Sequence, residues 1–86
     1  MFIDTIYEID NAIINNMEMF SEKIQAELTF LLINDKYKDI KTLFEKEYAL
    51  ESNTKTLNFY VSIIFKIKKI EDFFLFKVDM KTMNWN

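Results

Sequence analysis

The chain has 86 residues, a formal net charge of −3 and an apolar half that includes nine Phe. That length makes one domain, 1–86, and buries only about 60% of the surface the unfolded chain exposes, so its core is thin and apolar surface is left over. Gly, Pro, Cys, His and Arg are all absent, which removes imidazole bases, thiolates, disulfides, the usual zinc ligand sets and Gly-rich phosphate loops.

From the N-terminus, Ile6, Ile9, Ile13, Met17, Phe20, Ile24 and Leu31 fall on one face at 100° per residue. Asp4, Glu8, Asn11, Asn15, Glu18 and Glu22 fall on the opposite face. Their steps of three and four keep register through Asn15-Asn16, so the spacing predicts one long amphipathic helix over about 5–32. Thr5 followed by Glu8 fits a capping box at its start. The competing expectation makes residues 27–33 (ELTFLLI) a strand, because Thr, Phe and Ile favour that state.

Without Gly or Pro, turns fall to Asn, Asp and Ser, which bond their own backbone or tolerate the left-handed region. Asn34-Asp35 is the first such stop. Beyond it Tyr37, Ile40, Leu43, Phe44 and Tyr48 predict a second, shorter helix over about 36–50, with Lys41 and Glu45 as a weak i,i+4 pair. Ser52-Asn53 is the next stop.

The last third changes period. Leu57, Phe59, Val61, Ile63, Phe65 and Ile67 alternate, as do Phe74, Phe76, Val78 and Met80. Two strands joined by a four-residue loop, Lys69-Ile70-Glu71-Asp72, would set Ile67 opposite Phe74, Phe65 opposite Phe76, Ile63 opposite Val78 and Val61 opposite Met80. The predicted fold is therefore α+β, with a long N-terminal helix and a shorter one packed on a C-terminal antiparallel hairpin. The other face of that ribbon would carry Tyr60, Ile64, Lys66, Lys68, Phe73, Leu75, Lys77, Asp79 and Lys81.

Charge is segregated along the chain. Residues 1–35 hold seven acids and one lysine, net −6, whereas residues 36–86 hold seven acids and ten lysines, net +3. On an unbroken helix Asp4, Glu8, Glu18 and Glu22 lie within about 40° of one line some 27 Å long. Such a stripe is either an ordinary solvated face or a docking surface for a protein partner with a basic surface, including one that holds nucleic-acid phosphate. On the ribbon, Tyr60, Phe73 and Leu75 would supply the desolvated anchor. Lys66, Lys68, Lys77 and Lys81 define a competing surface for a nucleic-acid backbone, although lysines on an exposed sheet also serve to discourage edge pairing. The lack of Arg and the negative total charge count against nucleic acid.

Three Ser (Ser21, Ser52 and Ser62) have no activating base beyond Lys or a carboxylate, and pairs such as Glu18 and Glu22 have no spacing specific to catalysis or metal binding. The expectation is a non-enzymatic protein–protein interaction module that needs no cofactor or metal. A composition weighted to Ile, Lys, Phe and Asn without Arg fits an AT-rich genome, hence a phage or mobile-element inhibitor of the anti-CRISPR or anti-restriction type. The other expectations are a nucleic-acid-binding regulator and a homo-oligomeric structural subunit. The acidic opening MFIDTIYEID lacks the basic start of a secretory signal, and no apolar run approaches the ~20 residues of a membrane span, so a cytoplasmic protein is expected. A weak two-stranded ribbon with open edges further predicts a homodimer.

Overall fold

The computed structural model describes the backbone of residues 2–85 and the side chains of residues 3–73. Four α-helices form among them: α1 (Phe2–Asn15), α2 (Glu22–Ile33), α3 (Tyr37–Leu50) and α4 (Thr54–Trp85), with a 3-10 turn, Met17–Met19, between α1 and α2. The described residues contain no strand. The expected α+β fold is thus corrected to all-α.

The long helix expected over 5–32 is two helices with a break. Asn16 folds back on α1, its backbone N–H donating to the Ile13 carbonyl (3.2 Å) and its Nδ2 to the Ala12 carbonyl (2.7 Å). The Met19 and Phe20 amides bond three residues back, to the Asn16 and Met17 carbonyls. Phe20 then turns extended, at φ −104° and ψ 152°. Ser21 starts α2 as its N-cap, its Oγ accepting from the Ile24 amide. Gln25 Nε2 caps the free Phe20 carbonyl at 2.8 Å. Steps of three and four residues cannot register such a turn, because the apolar side chains on both sides still reach the same core. The capping box expected at Thr5 is not the helix start, since α1 already runs from Phe2.

Asn34-Asp35 does end a helix. The Lys36 amide donates to the Leu31 carbonyl and the Asp35 amide to the Leu32 carbonyl, the paired bonds of a Schellman cap. Asp35 takes the left-handed position at φ 54°, which Gly would fill in most chains. Helix α3 matches the expectation for 36–50 to within a residue at its start.

The predicted hairpin is the largest correction. Residues 57–68 and 73–83 belong to one continuous helix, and Glu71-Asp72 is not a turn. Asn53 caps α4 by accepting the Thr56 amide on Oδ1 (3.0 Å). The Glu51 carboxylate braces the loop by accepting the Ser52 and Asn53 amides. From there Tyr60, Ile63, Ile67 and Ile70 are buried at steps of three, four and three. A helix satisfies its interior backbone groups without a partner, whereas an isolated ribbon leaves two edges open.

One buried cluster joins all four helices: Ile9 and Ile13 of α1, Leu28 of α2, Ile40 and Phe44 of α3, and Tyr60, Ile63, Ile67 and Ile70 of α4, with Phe20 from the break. Full burial of each such side chain stabilises by about 1.5–3 kcal/mol. Phe44 sits at the centre of an aromatic group, its ring centroid 5.0 Å from Tyr60, 5.8 Å from Phe20 and 6.1 Å from Phe59. At 1.5 Å per residue the 32 residues of α4 span about 48 Å. That equals the longest dimension of the molecule, 48 × 24 × 21 Å. The radius of gyration, 14.5 Å, exceeds the roughly 12 Å of a compact chain this long.

Candidate functional site

The three-residue loop Glu51–Asn53 turns α3 back onto α4 as an antiparallel helical hairpin. Lys41 and Glu71 pair across it at 3.2 Å, and that bond to Glu71 raises the Lys41 pKa. A second cross-link ties α1 to α3, where the Tyr37 hydroxyl donates to Asp10 Oδ1 at 2.7 Å. Burial foremost, with the bond to Asp10 next, raises the Tyr37 pKa well above its ordinary value.

Asp4, Glu8, Glu18 and Glu22 are all exposed. They do not lie along one straight rod. Asp4 and Glu8 stand on α1, Glu18 on the 3-10 turn, and Glu22 in the first turn of α2. Glu22 there sits at the positive end of the α2 dipole, which offsets the repulsion expected for a mid-helix acid. Among the described residues no lysine pairs with Glu8, Glu18 or Glu22. The N-terminal half is therefore an acidic surface spread over three elements.

Of the expected anchor, the side chains of Tyr60 and Phe73 are described. Tyr60 is 4% exposed and part of the core, its hydroxyl pKa raised by that burial and then by Glu47 and Glu51. It was expected on a wet face only because the strand reading put odd residues inside. Phe73 is half-buried, and the side chain of Leu75 lies outside the described residues.

The lysine ribbon is likewise corrected. Lys66 and Lys68 are two residues apart on a helix, about 200° around its axis, so they point to different sides. Lys66 is half-buried and its Nζ donates to Ser62 Oγ at 3.3 Å, while Lys68 is exposed. The side chains of Lys77 and Lys81 lie outside the described residues.

Sequence reasoning missed an apolar groove between α3 and α4. It is lined by Tyr48, Val61, Ile64 and Phe65 with Glu45 at its edge, and encloses about 290 Å³. Phe65 is 63% exposed and Tyr48 44%. The alternating reading placed Val61 and Phe65 in the core. The available signal was Tyr60 and Ile64, apolar residues at even positions that fit a helical stripe and not a strand with one wet face.

Among the described residues no helix is long and apolar enough to cross a membrane. Comparison with protein-family models, with curated proteins and with solved structures finds no match for this chain.

Proposed function

We propose that this chain is a non-enzymatic protein–protein interaction module whose acidic N-terminal half docks on a basic surface of a larger assembly and occludes it. The observation that carries the proposal is the set of exposed carboxylates Glu8, Glu18 and Glu22, which have no lysine partner among the described residues. They stand in a half of the chain whose net charge is −6. Carboxylates left without a counter-charge cost self-repulsion within the chain, and a basic partner relieves it. A surface that normally holds nucleic-acid phosphate has the required charge, so a nucleic-acid-handling target suits the module, as for an inhibitor of the anti-CRISPR or anti-restriction type. Such a target places the action in the cytoplasm. The rival nucleic-acid reading rested on a lysine ribbon that the helix does not form.

The test is chemical cross-linking in host lysate followed by mass spectrometry, with the wild type beside an E18K/E22K variant. The wild type is expected to capture basic, nucleic-acid-binding proteins, and to lose them as salt rises to roughly 0.5 M, where the Debye length falls to about 4 Å. The double reversal is expected to lose them at all salt concentrations while keeping its helical circular dichroism. Undiminished capture by E18K/E22K removes the acidic half from the interface.

A further inference from the structure

The groove between α3 and α4 stands apart from the acidic half. We infer that its occupant is a second copy of this chain, docked groove to groove about a two-fold axis that runs along the α3/α4 hairpin. Two observations point to that partner.

The first is exposed apolar surface. Phe65 and Tyr48, large side chains that line the groove, are left mostly or partly in water, and a second copy brings the same two rings to cover them.

The second is charge. Glu45 stands at the groove edge on α3. Lys68 is exposed on α4, three residues after Phe65, four after Ile64 and seven after Val61, and so continues the same stripe. Among the described residues no ion pair joins Glu45 to Lys68 within one copy. A face that carries Glu45 and Lys68 beside an apolar centre, with Lys41 and Glu71 already paired to each other at 3.2 Å, is complementary to itself. The two-fold lays α4 of each copy over α3 of the other, which seats Phe65 in the opposing groove and brings Lys68 to the opposing Glu45, twice over. A uniformly acidic or basic partner would gain at one of these charges and be repelled at the other.

Sedimentation velocity over roughly 1–200 μM, a range that brackets a micromolar dissociation constant, reads the association directly. The wild type is expected to shift with concentration to twice the 10.4 kDa chain mass. F65K is expected to stay monomeric throughout with unchanged helical circular dichroism. E45K and K68E, both at exposed positions, are each expected to weaken the dimer by about tenfold or more, because like charges then face each other. An equimolar mixture of E45K with K68E restores both attractive pairs and is expected to dimerise like the wild type. A wild type that remains monomeric over the whole range overturns the inference and leaves the groove to an unlike partner or to solvent. A dimer that survives E45K and K68E unchanged, or a mixture that regains nothing, overturns it as well. None of these variants touches Glu18 or Glu22, so the outcome is separate from that of the acidic docking surface.

Discussion

Truncating Phe44 to alanine removes a ring that is 0% exposed and lies within about 6 Å of the Phe20, Phe59 and Tyr60 rings. Deleting a buried Phe side chain costs about 3–5 kcal/mol, and each aromatic pair lost adds about 0.5–1.5 kcal/mol beyond area, so F44A belongs in the upper half of that range. A chain of this length has a total stability of only about 4–13 kcal/mol. A loss of that size lowers the melting temperature by about 15–30 °C. The informative control is F65A, because the two readings of the last third treat Phe65 oppositely. On a hairpin Phe65 faces Phe76 in the core, and its removal costs about as much as that of Phe44. On α4 it is 63% exposed, and its removal costs about 0.5 kcal/mol or less. Thermal and urea unfolding followed by far-ultraviolet circular dichroism, at a concentration where the chain is monomeric, measures both. F65A destabilising as much as F44A would refute the helical packing of α4.

Replacing Asn53 by Ala removes the side-chain acceptor for the Thr56 amide; the expected cost is about 1 kcal/mol in urea unfolding, with faster hydrogen exchange at the first turn of α4. Y37F removes the hydroxyl that donates to Asp10 and is expected to cost about 1–2 kcal/mol at neutral pH, since a charged acceptor loses its donor. Because the folded Tyr37 pKa lies above the unfolded value, the stability it contributes is complete below about pH 10 and is lost as pH rises through the folded pKa. Wild-type unfolding free energy should therefore fall more steeply above pH 10 than that of Y37F, and parallel pH profiles would contradict the assignment. D35G relieves a left-handed aspartate at φ 54°. The strain removed slightly exceeds the added entropy of the unfolded chain, and a net gain of about 0.5 kcal/mol is expected by urea unfolding.

Helix α3 and its two stops were legible because local chemistry decides them. Asn34-Asp35 and Ser52-Asn53 carry side chains that bond the backbone of a turn or cap, and the apolar spacing of Ile40 and Phe44 fits only one period. The break after Asn15 was legible in part. Ser21 with Glu22 behind it is an N-cap signal that the unbroken periodicity masked. The acidic character of the N-terminal half follows from composition, but its arrangement over three elements depends on that break.

Sequence alone determined a small chain without breakers, divided in charge, with Ile9, Ile13, Phe20, Ile40 and Phe44 facing inward. Tertiary structure decided the state of residues 57–85 and, with it, which residues form the surface. In that stretch odd and even positions are both apolar, so periods of 2 and 3.6 fit equally well, and no Gly or Pro interrupts either. What separates them is the surface each can bury. As a helix, α4 lays Tyr60, Ile63, Ile67 and Ile70 against α1 and α3 and closes its interior backbone bonds itself, while as a ribbon it would need another strand, which the described residues do not supply.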